Sequence, residues 1–390
     1  MISLSRRLFA RGSLRTTSLA WRRSVSTSTS TSTTIEDTRG GGNEPRSSVV
    51  VGTSAWSRSQ SATRELDEEE QLTVPNWLAV NKYFTEQRGD AVYMNEVDEL
   101  WAPPGSPSVF GGQVVGQALV AAQKETPVQK GLHSMHSYFL RPGSSKLPIF
   151  YTVTKQMDSK RFSNRQVTAW QMGDEKERTV ILSLIASFCL DERDDPDAVE
   201  HSTRMPNVPG PEDCLSEAQM VHQLIADKRV PERMRPLLQQ RLDNPVPIDT
   251  RFVDLPVDWF NPQSLHPSHR IWLRALPGGD GDEGGATALS QHAHNIMAAY
   301  LSDWSLATTC LRAHAVPFPS FRFKRFASID HSVRFHGEPF RSDEWLLLDA
   351  ECTRMGSNRA FCSGEIYTAE GVRVMSVSQE ALLRLNPAES

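Results

Sequence analysis

The sequence predicts an α+β protein in which one unit, a helix followed by an antiparallel sheet, occurs twice. Two helical segments are each followed by several short β-rich segments, and the two halves share local self-similarity. His136–Ser137 recurs as His331–Ser332 at an offset of 195, and Ser163–Arg165 recurs as Ser357–Arg359 at an offset of 194. Two matches at nearly one offset, within the same order of elements, indicate an internal duplication.

The first unit is predicted to span residues 76–190, with order beginning near Asn76–Tyr83. Its helix is FGGQVVGQALVAAQKE, Phe110–Glu125, in which small residues and three glycines permit close backbone approach. Four strand-like segments follow, separated by turn residues. They are HSMHSYFL, IFYTVTKQ, NRQVTAWQM and VILSLIASF.

Residues 191–245 differ in character, because they are rich in proline and open with DERDDPD. The segment LSEAQMVHQLIADKRV predicts a helix within them. We therefore interpret residues 191–245 as an interdomain linker with its own short helices.

The second unit is predicted over residues 246–386. It contains the strand-like segments VPIDTRFV and HRIWLRAL, the acidic glycine-rich loop PGGDGDEGG, and a helix from about Leu289 to Arg312. Four further strands are predicted. They are SIDHSVRF, EWLLLDAECT, NRAFCSGEIYT and RVMSVSQEALL.

A helix followed by a long antiparallel meander buries itself best if the sheet curls around it. This is the hotdog arrangement, and the predicted fold class is α+β, a double hotdog. Two generic α+β domains are the alternative that the pattern leaves open.

The N-terminal segment differs from the rest of the chain. Residues 1–35 hold six arginines, no lysine and no acid, and Arg7, Arg11 and Arg15 fall on one side of a helix. This composition predicts a mitochondrial transit peptide, with a basic disordered tail as the alternative. Residues 36–75 are polar and predict a disordered linker.

Charge and cysteine content exclude several classes of protein. The leader contributes +6 to a net charge of −5, so the rest of the chain carries −11 and is a poor candidate for binding nucleic acid. The apolar run Val180–Leu190 is too short for a transmembrane segment. The five cysteines form no metal-binding spacing, which favours free thiols in a reducing compartment.

The second half carries two polar residues at positions where a core would be apolar. Asp303 follows Ile296, Ala299 and Tyr300 at the spacing of one helical face, where a charge is costly without partners. Gln379 interrupts the alternating apolar row of Met375, Val377, Ala381 and Leu383. The first helix has no acid before Glu125, and its last strand has Ala186 or Ser187 at the matching place. A buried Asp and a buried Gln could satisfy each other.

Several catalytic motifs are absent. The sequence has no GxSxG nucleophile elbow, no HExxH or His/Cys cluster for a metal, and no P-loop. His133 and His136 fall on a strand, where histidines are more often structural. If the protein is an enzyme, the simplest chemistry is a carboxylate acting on a water molecule.

Seven segments resemble the acyl-CoA thioesterase II family, which includes the bacterial thioesterase II and the eukaryotic peroxisomal enzyme. They are FGGQVVGQAL, HSMHSYFLRPG, AYLSDW, SIDHSVRFH, EWLLLDAE, GEIYTAEGV and SVSQEALLR. The resemblance runs from about Trp77 to Leu385. It implies the double-hotdog fold, hydrolysis of fatty acyl-CoA to fatty acid and CoA, and no metal or organic cofactor. Oligomerisation through the hotdog sheets is also expected.

The resemblance implies a catalytic set of Asp303, Ser328 and Gln379. Asp303 is expected to deprotonate a water molecule, while Ser328 and Gln379 position that water and each donate a hydrogen bond to the carboxylate. The backbone N–H groups of Gly112 and Gln113 are conceivable oxyanion donors.

Three features depart from the family pattern. The first half reads QMDSKRF at Gln156–Phe162, where the family usually has Arg-Asp-Gly-x-Ser-Phe. Ser328 stands where Thr is common. The chain ends Asn386 to Ser390 rather than in a peroxisomal signal, so mitochondria are favoured over peroxisomes.

Two other functions remain alternatives. A hotdog hydratase or dehydratase shares the fold, but its Asp-x-Asn-Pro-x-His run is absent. A non-catalytic acyl-CoA-binding module, in which Asp303 is structural, is the second alternative.

Overall fold

The structure, a computed structural model, describes residues 72–173, 176–191, 199–255, 266–278, 289–314 and 323–386. The predicted transit peptide (1–35) and nearly all of the predicted linker (36–75) lie outside the described residues. Most of DERDDPD, most of the acidic loop and residues 387–390 also lie outside them.

Within these ranges the chain forms one antiparallel sheet of fourteen strands and five α-helices. The strands of the first half are β1 (Val80–Thr85), β2 (Ala91–Asn95), β3 (Lys130–Phe139), β4 (Phe150–Asp158), β5 (Phe162–Met172) and β6 (Arg178–Leu190). Those of the second half are β7 (Leu215–Ser216), β8 (Ile248–Phe252), β9 (Ser268–Ala275), β10 (Phe323–Ser328), β11 (Asp330–Phe335), β12 (Leu346–Gly356), β13 (Arg359–Thr368) and β14 (Arg373–Leu385). The helices are α1 (Gly111–Lys124), α2 (Glu217–Ala226), α3 (Arg235–Asp243), α4 (Gln291–Ser302) and α5 (Thr309–Arg312).

The two halves join side by side into one sheet. The strand order is β1-β2-β4-β5-β6-β3 in the first half and β11-β14-β13-β12-β9-β8-β7 in the second. Strands β3 and β11 pair antiparallel at the junction, with His331 opposite Ser137 and Val333 opposite Met135. Strand β10 pairs with β14. The observed elements thus repeat the predicted unit of a helix and an antiparallel sheet.

The two long helices lie in the core and contact each other. All residues of α1 except Gly111 and Lys124 are buried. A Cβ atom added at Gly112 would lie 2.7 Å from the carbonyl oxygen of Tyr300 on α4. Gly112 is therefore required for this close approach of the helices. Trp77 packs against the same tyrosine, with its ring centroid 4.5 Å from that of Tyr300.

The predicted length of the second long helix is wrong. A single helix to Arg312 was expected, but α4 ends at Ser302 and Asp303 is its C-terminal capping residue. Ser305 has a φ of 68°, a left-handed conformation that a continuous helix cannot contain. The chain then resumes as the short α5. Two strands before α1, β1 and β2, were not predicted individually.

The order of elements repeats, but the two local matches used to infer the repeat are not structurally equivalent. His331 is fully buried, whereas His136 is partly exposed on the opposite face of its strand. Asn164 lies within β5, whereas Asn358 lies in the two-residue turn before β13, with a φ of 60°. The duplication therefore lies in the order of helix and strands, and those matches were poor markers of it.

Candidate active site

The structure brings Asp303, Ser328 and Gln379 together. The Nε2 atom of Gln379 donates a hydrogen bond to Oδ1 of Asp303 at 2.5 Å and another to Oγ of Ser328 at 3.0 Å. These three residues come from the end of α4, the end of β10 and the middle of β14. Contacts across 76 and 51 residues of sequence thus form one hydrogen-bonded group.

The strand geometry explains why these side chains meet. Gln379 belongs to the inward row of β14, between the buried Val377 and Ala381. On β10, Ser328 lies directly opposite Ala381 of β14. Its side chain therefore falls on the same face of the sheet as those of Ala381 and Gln379. Gln379 is fully buried, so its amide is held in place against Asp303 and Ser328.

The hydrogen-bond pattern differs from the prediction in one respect. Ser328 was expected to donate to Asp303, but it accepts a hydrogen bond from Gln379 instead. Both amide protons of Gln379 are consequently used, and its Oε1 atom has no partner within the described residues. The amide orientation follows from Asp303, since an ionised carboxylate only accepts hydrogen bonds. Ser328 keeps its own hydroxyl proton available for a further acceptor.

The carboxylate of Asp303 also contacts the N-terminus of α1, in the first half of the chain. Burial raises the pKa of Asp303 to about 6, although hydrogen bonds from Gln379 and from the Gly112 backbone N–H oppose this rise. A helix N-terminus carries partial positive charge and favours an anion. Asp303 therefore remains largely ionised at neutral pH and is a stronger base than an exposed aspartate.

The two backbone groups expected to serve as oxyanion donors are already engaged. The Gly112 N–H binds Asp303, and the Gln113 N–H binds the carbonyl of Phe110 at 3.1 Å. The Gln113 side chain is also occupied, since it bonds the backbone of Trp101, Trp77 and Glu99. Gly111, the first residue of α1, has an N–H without a hydrogen-bond acceptor in the described part of the chain. A Cβ atom there would lie 2.8 Å from Oδ2 of Asp303, so Gly111 packs directly against the carboxylate.

Asp303 and Ser328 face a large cavity of about 880 Å³. Most of its lining is apolar, and α2 and α3 supply an important part of it. The two helices contribute Met220, Val221, Leu224, Leu237 and Leu238, and Met234, directly before α3, adds a further apolar side chain. The size and the mostly apolar surface of the cavity fit a hydrocarbon ligand, and the Asp303 carboxylate forms part of the wall.

Sequence reasoning missed this role of residues 217–243, which it assigned to a linker. Arg241 on α3 lies 5.0 Å from the ring of Trp101 and 4.9 Å from that of Trp304. Glu217 on α2 holds the same guanidinium through two hydrogen bonds. The Ser216 capping box, in which Gln219 completes the cap, was the available sequence signal for the start of α2.

A buried histidine supports the end of α4. The hydroxyl of Ser302 donates to the carbonyl of Ala299 at 2.8 Å and lies 2.8 Å from Nε2 of His331. Since the single hydroxyl proton is used, His331 must donate from Nε2. Burial and the neighbouring His136 lower the pKa of His331 to about 3, so it is neutral. This bond ties β11 to the residue before Asp303.

The strand histidines and the cysteines lie away from this chemistry. His133 contacts Ser134, and His136 contacts Ser332 at 2.5 Å. Neither lines the cavity. All five cysteines are free thiols. Among the described residues, no group of three or more His, Cys, Asp or Glu could hold a metal ion, and no helix is long and apolar enough to cross a membrane.

The first half has an acid at the corresponding helix end, but its surroundings differ. Glu125 caps the C-terminus of α1, as Asp303 caps that of α4. Burial alone would raise the pKa of Glu125, but Tyr93, Lys155 and Lys82 together lower it below its ordinary value. Tyr93 donates a 2.9 Å hydrogen bond, and Lys155 forms a 3.1 Å ion pair. Glu125 is thus a structural acid, and the Asp303 group has no counterpart in the first half.

Two helices packed against one continuous antiparallel sheet define a double-hotdog protein, and the carboxylate facing an apolar cavity marks its candidate catalytic site. The fold matches solved structures. One is a thioesterase II from Mycobacterium marinum, with a TM-score of 0.56 and 26% identity over 80% of this chain and 99% of that one. Another is a hot-dog-fold protein from Alicyclobacillus acidocaldarius, with a TM-score of 0.52 and 16% identity. The match covers 79% of this chain and 97% of that one. The predicted double hotdog is confirmed.

The chain belongs to the acyl-CoA thioesterase family. Residues 97–189 match the acyl-CoA thioesterase N-terminal domain, and residues 211–383 match the C-terminal domain. Mouse acyl-coenzyme A thioesterase 8 is 34% identical over 74% of this chain and 84% of its own length. Acyl-CoA thioesterase 2 of Haemophilus influenzae is 32% identical over 77% of this chain and 95% of its own length. The C-terminal domain match includes α2 and α3, which form part of the cavity.

Residues 156–162, where the sequence departs from the family motif, include the turn between β4 and β5. They do not line the cavity. Arg165 holds this turn through an ion pair with Asp158 at 2.8 Å. The departure therefore changes a turn that lies outside the cavity lining.

Proposed function

We propose that this acyl-CoA thioesterase hydrolyses fatty acyl-CoA by the attack of a water molecule that Asp303 deprotonates. The observation that carries the proposal is the Asp303 carboxylate, held by Gln379 and Gly112 at the wall of an apolar cavity. A carboxylate with a pKa of about 6 suits a general base near neutral pH. The apolar cavity would hold the acyl chain, which leaves the thioester beside the carboxylate.

In the proposed reaction, Asp303 takes one proton from water while the water oxygen bonds to the thioester carbon. Ser328 can donate its free hydroxyl proton to this water, because its oxygen accepts from Gln379. The Gly111 N–H, at the positive end of α1, would face the developing oxyanion. The carbon–sulfur bond then breaks, the proton returns from Asp303 to the CoA thiolate, and the fatty acid is released.

The test is thiol release from palmitoyl-CoA at saturating substrate. Asp303→Asn keeps the size of the side chain but removes the base, so kcat should fall about 10²–10⁴-fold. Asp349→Asn is the matched control, since Asp349 is a partly exposed acid in an ion pair with Arg270. Equal kcat for Asp303→Asn and wild type would show that Asp303 is not the base. No thiol release by wild type would favour a non-catalytic acyl-CoA-binding module.

We also propose that residues 1–35 direct the protein to the mitochondrial matrix. Six arginines without an acid support this assignment. A fluorescent reporter carrying residues 1–40 should enter mitochondria. A reporter with Arg7, Arg11 and Arg15 changed to Gln should not. Diffuse or peroxisomal fluorescence from the first reporter would contradict the assignment.

A homo-oligomer formed through the outer face of the sheet is the third part of the proposal. Tyr138 on β3 and Ile185 on β6 support it, since these apolar side chains are 49% and 54% exposed on that face. Light scattering should give a mass larger than one chain. Ile185→Lys should lower that mass if this face is the interface.

A further inference from the structure

The cavity that contains Asp303 opens where the central sheet splits. The Phe139 N–H donates to the carbonyl of Ile329 at 2.9 Å, at the end of β3. Beyond this bond, Leu140 turns away and donates to Ile181, while β10 bonds to β14. A gap therefore lies between the segment that follows β3 and the edge of β10. Leu140, Arg141, Pro142 and Gly143 line the cavity from one lip, and Arg325, Phe326, Ala327 and Ser328 line it from the other.

The β10 lip carries an unusual pair of like charges. Arg325 on β10 lies directly opposite Arg384 on β14, and both are exposed. Opposite residues of an antiparallel pair have Cβ atoms about 4.5–5.5 Å apart, and like charges in this position repel. Neither arginine forms an ion pair with an acid among the described residues. Two adjacent guanidinium groups at a cavity mouth are a natural site for a polyanion.

The remaining charged groups around the mouth do not cancel this excess. Lys324 precedes Arg325 and is exposed, and Arg141 is exposed on the opposite lip. The acid on the same face of β14 is Glu380, which is occupied by Arg359 at 3.0 Å. Asp330 lies where β10 passes into β11, and its carboxylate accepts the backbone N–H of Glu380. The mouth is therefore positive, although the chain as a whole carries a net charge of −5.

We propose that Arg325 and Arg384 bind the phosphate groups of the CoA moiety, with Arg141 contributing from the opposite lip. This assignment rests on acyl-CoA being the substrate. In the proposed reaction the thioester lies beside Asp303 and Ser328, and three strand residues, roughly 10 Å, separate Ser328 from Arg325. Because side chains alternate along a strand, Arg325 and Arg384 lie on the opposite face of the sheet from Ser328. The pantetheine arm would therefore leave the cavity through the gap beside β10 and bring the phosphates to that outer face. Arginine suits the role because its planar guanidinium binds phosphate oxygens in pairs.

The kinetic test compares an acyl-CoA with the acyl-pantetheine of the same chain, which has the thioester but no phosphate. Wild type should prefer acyl-CoA in kcat/KM, and the double variant Arg325→Gln/Arg384→Gln should lose about tenfold of that preference. The loss should lie in KM, and raised salt should reduce the preference of wild type more than that of the variant. Arg88→Gln removes an exposed arginine outside the cavity lining and should leave the preference unchanged.

A binding measurement separates this assignment from the proposed reaction. Calorimetric titration with free CoA needs no turnover, so it applies even if Asp303 is not the base. The double variant should bind CoA about tenfold more weakly than wild type. The variant Arg325→Lys/Arg384→Lys keeps the charge and should recover part of the affinity. Equal CoA affinity in wild type and both variants, or an equal loss with acyl-CoA and acyl-pantetheine, would overturn the assignment.

Discussion

Replacing Asp303 by Asn should make the protein more stable at neutral pH while it abolishes most of the activity. The charged form of Asp303 is held in a site that favours the neutral form, because burial raises its pKa from 3.8 to about 6. An asparagine resembles the protonated acid in size and charge. The ionised carboxylate lowers the stability of the folded protein. The substitution removes this charge and therefore the cost.

The pKa shift sets the size of this effect. Each unit of pKa difference corresponds to about 1.4 kcal/mol, so a rise from 3.8 to about 6 costs at most ~3 kcal/mol of folding free energy. The gain from Asn should be smaller, because an amide has one acceptor oxygen in place of two and accepts hydrogen bonds more weakly than a carboxylate. We expect a stabilisation of about 1–2 kcal/mol at pH 7, after a loss of about 1 kcal/mol for one hydrogen bond.

The pH dependence gives the assay its specificity. An acid whose pKa is raised on folding carries no penalty below its unfolded pKa near 4, and the full penalty above its folded pKa near 6. Urea unfolding of wild type and Asp303→Asn should therefore give similar free energies at pH 4. The difference should grow in favour of the variant between pH 4 and pH 6, then stay constant.

Two results would refute this reasoning. A variant that is less stable than wild type by more than about 1 kcal/mol at pH 7 would mean that the carboxylate stabilises the fold. A stability difference that does not change between pH 4 and pH 7 would mean that the pKa of Asp303 is not raised. Either result would also weaken the case for Asp303 as a tuned general base.

Three further predictions follow from the same contacts. Because Asp303 must be ionised, kcat/KM should fall about tenfold per pH unit below pH ~6 in wild type, and this dependence should be absent from the residual rate of Asp303→Asn. Gly112→Ala places a Cβ atom 2.7 Å from the Tyr300 carbonyl, so α1 must move away from α4. That variant should lower both kcat and melting temperature, whereas Gly173→Ala, whose nearest contact is 3.6 Å, should lower neither. Glu125→Gln should cost about 1–3 kcal/mol of stability at neutral pH without changing kcat, and a lower kcat would contradict the structural role of this acid.

The order of helices and strands could be predicted because each element has a strong local pattern. The small apolar residues of α1 and the alternating rows of β5 and β14 fix element type without reference to the rest of the chain. The end of α4 could not be predicted in this way. The sequence 294–304 keeps a helical spacing through Asp303, and only the positive φ of Ser305 ends the helix.

The candidate site was predicted only in part, for a similar reason. Asp303 and Gln379 were visible because each is a polar residue in an apolar row. The Gly112 N–H was expected at the oxyanion, and nothing in the sequence places it against Asp303, because that contact joins the two halves. The segment that forms α2 was predicted as a helix and α3 was not named. The cavity that both helices line depends on how residues 217–243 fold against the sheet, which no local pattern shows.

The two halves carry an acid at the same helix end, and the surroundings of each acid decide which one can act on water. Asp303 meets the N-terminus of α1, where the absence of a side chain at Gly111 leaves room for the carboxylate against the backbone. The matching N-terminus of α4 has Gln291 and His292, and the His292 ring is held by the Val128 carbonyl at 2.8 Å. Glu125 instead binds Lys82, Lys155 and Tyr93, which lower its pKa. It therefore stays ionised and is a weak base. Of the two acids at equivalent helix ends, Asp303 is a buried base with a raised pKa and Glu125 is a structural ion-pair partner, because they differ in the groups that contact them.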